Sequence, residues 1–136
     1  MRMFSLALLF LTSICWAQPR THRVVVELNV PGVGSYVKVL GNVTNLLKAF
    51  KGERTEIEIV CHDDGIDLLL VGTSPLRSRM EKLHAAGVVF AACGNTLRGR
   101  KIERSNLLPF SVVVDSGVAE VVRREEAGWS YIKAAG

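Results

Sequence analysis

The hydrophobic and polar positions along the chain alternate between strand-length and helix-length patterns. Residues 23–28 form a β-branched run, which is typical of a strand covered on both faces. Residues 36–50 carry apolar side chains at helical spacing, and Gly52 ends that helix. Residues 55–61 alternate glutamate with apolar residues, which predicts a half-exposed second strand. The order strand, helix, strand indicates an α/β fold.

The middle of the chain continues this alternation. Residues 62–71 combine a polar turn with a short apolar segment. Ser74 and Pro75 then open a second helix, because serine caps helices and proline is favoured in their first turn. Gly87 ends it, and residues 88–93 form the third strand.

The last third of the chain predicts two more strands. Residues 95–106 are basic and predicted to be partly helical, and residues 110–114 form the fourth strand. Residues 115–117 can cap a helix that ends at Gly128, and residues 129–133 form a short last strand. Helix-length connections make right-handed crossovers, so the strands are expected to be parallel with their carboxyl ends at one edge.

Length and composition indicate one globular domain behind an export signal. The chain has 136 residues, of which 49% are hydrophobic and 22% charged. Arg2, the apolar residues 6–11 and the small residue Ala17 predict a signal peptide over residues 1–17 and a periplasmic domain over residues 18–136. A lipoprotein site at Cys15 is an open alternative, although the bulky residue before it fits poorly. No later apolar run reaches the roughly 20 residues of a membrane span.

Net charge argues against a nucleic-acid partner. Removing residues 1–17 takes away Arg2 and no acidic residue, so the formal charge falls from +4 to +3. Lysine and arginine are scattered among acidic residues without interleaved aromatic residues. We therefore expect an ordinary mixed surface.

Cys93 is the first candidate for chemistry. It ends the third strand, and Gly94 and Asn95 turn the chain directly after it. Open parallel sheets bind ligands at this edge. Backbone amides and the basic residues that follow can stabilise a thiolate there. The alternative is a buried cysteine that acts as a small hydrophobic residue.

Other candidates follow the same edge. His62 can exchange protons with the thiol or serve as a turn residue, and Asn95 and Thr96 can orient the loop. A metal site at Cys61, His62, Asp63 and Cys93 remains possible, but the spacing lacks paired ligands, and we predict no metal.

The two cysteines of the exported chain invite a disulfide in an oxidising compartment. Cys61 and Cys93 both lie at strand ends, but a one-residue offset would place them on opposite faces of the sheet. We therefore expect two free thiols.

Three stretches in the same order carry a family resemblance. They are Ile-Val-Cys-His-Asp-Asp-Gly-Ile at 59–66, Gly-Val-Val-Phe-Ala-Ala-Cys-Gly-Asn-Thr-Leu at 87–97 and Gly-Trp-Ser-Tyr-Ile-Lys at 128–133. Together they resemble the DsrE/DsrF-like family. The resemblance implies a three-layer α/β/α domain around a five-stranded, mainly parallel sheet, assembled as a homo-oligomer such as a trimer or hexamer. It also implies sulfur carried as a persulfide on Cys93, without a further cofactor.

Two features depart from similar sequences. His62 is preceded by Cys61 and followed by two aspartates where glycine-rich residues are common, and the chain carries an export signal. The leading hypothesis is a periplasmic sulfur carrier or sulfurtransferase with a small sulfur species or a thiol protein as its partner, using Cys93 and His62, with Cys61, Gly94, Asn95 and Thr96 in the binding site. The alternatives are a non-catalytic oligomeric scaffold that binds a small ligand or metal, and a thiol–disulfide protein that uses both cysteines.

Overall fold

The computed structural model describes residues 20–72 and 76–134. The predicted signal peptide, and the helix start at Ser74 and Pro75, lie outside the described residues. Within the described ranges, no helix is both long enough and apolar enough to cross a bilayer.

A single five-stranded sheet forms the middle of the molecule. The strands are β1 (Thr21–Leu28), β2 (Arg54–Cys61), β3 (Val89–Cys93), β4 (Ser111–Val114) and β5 (Ser130–Lys133). Their order is β4-β3-β2-β1-β5, and every neighbouring pair is parallel. The predicted parallel sheet is confirmed, and the carboxyl ends of all five strands lie at one edge.

Helices fill the connections between these strands. They are α1 (Val33–Ala49), α2 (Arg77–Ala85), α3 (Gly94–Gly99) and α4 (Gly117–Glu126), with 3₁₀ segments at Asp63–Leu69 and Arg104–Asn106. The Ser116 hydroxyl accepts a hydrogen bond of 3.3 Å from the backbone N–H of Ala119, so the predicted cap of α4 is confirmed. The basic segment after β3 is partly helical, as expected.

The sheet is covered by helices on both faces, which gives three layers. On one face, Leu40 of α1 and Met80 of α2 join the larger core cluster. On the other face, Val121 of α4 packs with Val60 and Ala91 in a smaller cluster. Because strand residues alternate between faces, β1, β2 and β3 each contribute to both clusters.

The second strand differs from its sequence prediction. Alternating glutamates predict a half-exposed strand, but Glu58 is only 1% exposed. Its carboxylate lies 2.5 Å from Nε of Arg124, whose guanidinium stacks over the Trp129 ring at 4.6 Å. The half-exposed prediction was therefore wrong, because a cation from α4 pairs with this charge inside the fold.

Candidate functional site

The two cysteines point to opposite faces of the sheet. Cys61 of β2 lies opposite Ala92 of β3, which directly precedes Cys93, and Cys93 itself lies opposite Val114 of β4. The two thiols are therefore offset by one residue along neighbouring strands. Cys61 is fully buried in the larger core cluster, and Cys93 faces α4. Both are free thiols, as expected. Burial raises the pKa of the Cys61 thiol well above its ordinary value.

A pocket of about 420 Å³ opens at the carboxyl edge of the sheet, over Cys93. It is lined by His62, Asp63, Asp64, Cys93, Asn95, Thr96, Gly99, Arg100, Ser116 and Val118. The structure thus brings together four of the predicted site residues, namely Cys93, His62, Asn95 and Thr96. Cys61 and Gly94 lie outside the lining.

The Cys93 sulfur lies among hydrogen-bond donors. The backbone N–H of Gly117 donates to Sγ over 3.1 Å. Burial raises the pKa of the Cys93 thiol, but hydrogen bonds from the Thr96 hydroxyl and from the N–H groups of Gly117, Thr96 and Asn95 outweigh burial and lower it below its ordinary value. These donors favour the thiolate, which is the reactive form of cysteine.

Two glycines make this arrangement possible. A Cβ on Gly117 would lie 3.0 Å from the His62 Cβ and 3.2 Å from the Cys93 Cβ, so glycine lets these side chains sit side by side. A Cβ on Gly94 would lie 2.8 Å from the Val114 carbonyl oxygen. Gly94 therefore serves the site by allowing α3 to start against β4, without contacting the pocket.

The His62 ring is held between two carboxylates. Its Nε2 lies 2.7 Å from a Glu27 oxygen, and its Nδ1 lies 3.0 Å from an Asp63 oxygen. Both contacts are hydrogen bonds at once only when both ring nitrogens carry hydrogen. The second Glu27 oxygen accepts a hydrogen bond from the Tyr131 hydroxyl. Because both ring nitrogens face carboxylates, this geometry favours a positioning role for His62 over direct proton exchange with Cys93.

Thr96 connects the His62 turn to the thiol. The backbone N–H of Asp63 donates to Thr96 Oγ1 over 3.0 Å, and the hydroxyl hydrogen of Thr96 is left to serve the Cys93 sulfur. The turn after β2 therefore orients a donor that acts on the end of β3.

Replacing Thr96 by valine removes this hydroxyl and nearly keeps the side-chain volume. We expect the pKa of the Cys93 thiol to rise by about one pH unit in T96V, because a hydrogen bond to a charged group contributes on that scale. The measurement is the rate of Cys93 alkylation as a function of pH, whose midpoint should move to higher pH. Thr96→Ser, which keeps a hydroxyl, is the matched control. Superimposable profiles for T96V and the unaltered protein would contradict this role.

Sequence reasoning missed several residues of the site. Glu27 is the lone acidic residue in a β-branched strand, and that isolation is a usable signal. Tyr131 offered no such signal, because its role depends on β5 pairing with β1.

Within residues 20–72 and 76–134, no group of three or more histidine, cysteine or acidic side chains is arranged to hold a metal ion.

Solved structures with this architecture are known, and the sequence matches a family model. Residues 35–134 match the family model described as the DsrE/DsrF-like family. The chain belongs to that family. The structure of MTH1491, a protein of unknown function from Methanobacterium thermoautotrophicum, is similar with a TM-score of 0.78 and 33% sequence identity, and the match covers 82% of this chain and 98% of MTH1491.

The crystal structure of the YchN protein from E. coli has the same fold. It matches with a TM-score of 0.66 and 17% identity over 82% of this chain and 98% of YchN. At that identity the likeness supports the fold alone. No curated protein matches the chain significantly.

Proposed function

We propose that the protein carries sulfane sulfur as a persulfide on Cys93 and passes it to an acceptor thiol. The observation that carries this proposal is the Cys93 sulfur, which accepts a hydrogen bond from the Gly117 N–H and borders a pocket whose lining residues are mostly polar, and the pKa of its thiol is lowered. Membership of the DsrE/DsrF-like family supports the same chemistry, because the sulfur-relay type of fold is found in that family.

The chemistry is a pair of thiolate displacements with no net oxidation. The Cys93 thiolate attacks the sulfane sulfur of a donor, a sulfur–sulfur bond forms, and the donor's own bond to that sulfur breaks with its electron pair leaving on the donor remainder. An acceptor thiolate then attacks the outer sulfur of the persulfide and releases the Cys93 thiolate. Hydrogen-bond donors around Sγ stabilise the Cys93 thiolate, which is present at the start and at the end of this cycle.

We also propose that the protein acts in the periplasm as a homo-oligomer. Export rests on the charged start, apolar run and small residues of the first 17 positions. Self-association is supported by the valines exposed on the α4 side of the molecule, at Val89, Val112, Val118 and Val122. Val118 also lines the pocket, so the site lies beside this apolar surface.

Intact mass spectrometry tests the sulfur-carrier function. The protein without residues 1–17 is incubated with inorganic polysulfide or a small organic persulfide, freed of excess reagent and weighed. We expect a gain of one sulfur atom that dithiothreitol reverses. The gain should persist in Cys61→Ala and disappear in Cys93→Ser. A protein that gains no sulfur from any sulfane donor would contradict the proposal and favour a non-catalytic binding scaffold.

A further inference from the structure

Two carboxylates line the approach to Cys93. Asp63 and Asp64 both belong to the pocket wall, and the Asp63 side chain is 72% exposed. The turn that carries them is fixed from two sides. The Tyr36 hydroxyl donates to the Asp64 carbonyl over 3.2 Å, and the Asp63 N–H donates to Thr96. The backbone that carries the Asp63 and Asp64 carboxylates is therefore held in place in the pocket wall.

Two arginines near the pocket already have partners. Arg100 lines the pocket, but one of its nitrogens lies 2.8 Å from the Asp67 carboxylate and another donates to the Asp63 carbonyl over 3.3 Å. Arg98 donates to the Asn95 side-chain oxygen and is outside the lining. The His62 ring also lines the pocket, with its Nε2 against the Glu27 carboxylate and its Nδ1 against the Asp63 carboxylate. The lining therefore carries two carboxylates, at Asp63 and Asp64, and its guanidinium, that of Arg100, lies against a third carboxylate, that of Asp67.

The backbone conformation at Asp63 does not require its charge. Asp63 has a φ of 47°, a left-handed conformation that asparagine adopts as readily as aspartate. An amide oxygen at this position also accepts the hydrogen bond from the His62 ring. Asparagine at position 63 would therefore keep the backbone conformation and an acceptor for the His62 ring, so the charge can be removed without removing the contact.

We propose that the Asp63–Asp64 turn selects the class of sulfur donor, favouring donors that are uncharged or positively charged next to the transferred sulfur and disfavouring oxyanion donors such as thiosulfate. This inference rests on the proposed persulfide function of Cys93. An incoming anion meets the thiolate and two fixed carboxylates together, and like charges at contact distance raise the free energy of approach. A cationic or neutral donor avoids that cost.

Both donor classes complete the same balanced step. Thiosulfate gives its outer sulfur to the Cys93 thiolate and leaves as sulfite. The hydropersulfide of cysteamine gives its outer sulfur and leaves as the cysteamine thiolate, with an ammonium group two carbons from the reacting sulfur. The two donors differ in leaving group as well as in the charge that enters the pocket, so the effect of the wall is measured by how much each rate changes when the aspartates are replaced.

Charged thiol reagents measure this selectivity without any sulfur donor. The unaltered protein is labelled with methanethiosulfonates that carry either a trimethylammonium or a sulfonate group, and Cys93 labelling is followed by peptide mass spectrometry. Because a change in thiolate fraction alters both rates equally, the ratio of the two rate constants isolates the charge effect. We expect the cationic reagent to react faster, with a ratio that falls as salt is added.

Substitution of the two aspartates assigns the effect. In Asp63→Asn/Asp64→Asn the ratio should fall about tenfold, because each removed carboxylate acts on the two reagents in opposite directions. Glu126→Gln, which removes an exposed charge outside the pocket lining, should leave the ratio unchanged. Sulfur uptake from thiosulfate should accelerate in the double variant, while uptake from cysteamine hydropersulfide should not.

The possible failures are distinct. A ratio that is near one, independent of salt and equal in the double variant overturns the selectivity. If the double variant is poorly folded, the single variants Asp63→Asn and Asp64→Asn decide the question, because the salt dependence of the unaltered protein also contains the charge of the Cys93 thiolate. If the ratio behaves as expected but neither sulfur donor transfers sulfur to Cys93, the charge effect stands and the persulfide function fails.

Discussion

Gly65→Ala is expected to destabilise the protein by about 3 kcal/mol or more, because its Cβ has no space and the obstacle is backbone. A Cβ at Gly65 would lie 2.1 Å from the Leu28 carbonyl oxygen and 2.6 Å from the Leu28 carbonyl carbon. These atoms end β1 and belong to the buried layer, so neither side can move without disturbing the sheet. Urea unfolding followed by circular dichroism measures the loss.

Gly34→Ala is the matched control. Gly34 lies in the first turn of α1, and a Cβ there meets nothing within 4 Å. We expect this change to be neutral or to stabilise the protein by up to about 1 kcal/mol, since alanine favours helix over glycine. Equal unfolding midpoints for the two variants would show that the turn after β2 relaxes freely away from β1.

The two cysteines should differ in alkylation rate by at least about a hundredfold in the folded protein, because a fully buried thiol reacts only after local opening. Cys61 has no exposed surface, and burial raises its pKa. Cys93 is 4% exposed, borders the pocket and has a pKa below the ordinary value. Peptide mass spectrometry after timed exposure to iodoacetamide at neutral pH gives both rates at once.

Denaturant provides the control for this comparison. In concentrated urea both thiols lose their surroundings, and their rates should converge. Faster labelling of Cys61 than of Cys93 in the folded protein would show that Cys61, and not Cys93, is the reactive thiol.

The fold was largely readable from the sequence, because the strands are short apolar runs separated by helical spacing and turn residues. The five strands, their parallel direction and the placement of Cys93 at a strand end follow from local patterns that the structure confirms. The burial of Glu58 did not follow from such a pattern. Its partner Arg124 lies on α4, and only the packed structure brings the two together.

The site was readable in part for the same reason. Cys93, Asn95 and Thr96 are neighbours in sequence, so the prediction of one turn after β3 places all three in the site. The position of Cys61 depends on the register of β2 against β3, in which a one-residue offset reverses the face of the sheet. The contact between Glu27 and Tyr131 joins nearly opposite ends of the chain, and no local pattern reports it.

The position of β1 in the sheet affects the order in which the molecule is completed. Among the strands that the structure describes, β1 is synthesised first and β5 last, and β1 lies between β2 and β5. The N-terminal strand therefore has one free edge until residues 130–133 have left the ribosome. Only then can Ala134 donate to the Glu27 carbonyl and Tyr131 reach the Glu27 carboxylate. A chain that stops a few residues early keeps Cys93 and its loop but leaves the carboxylate behind His62 without its tyrosine.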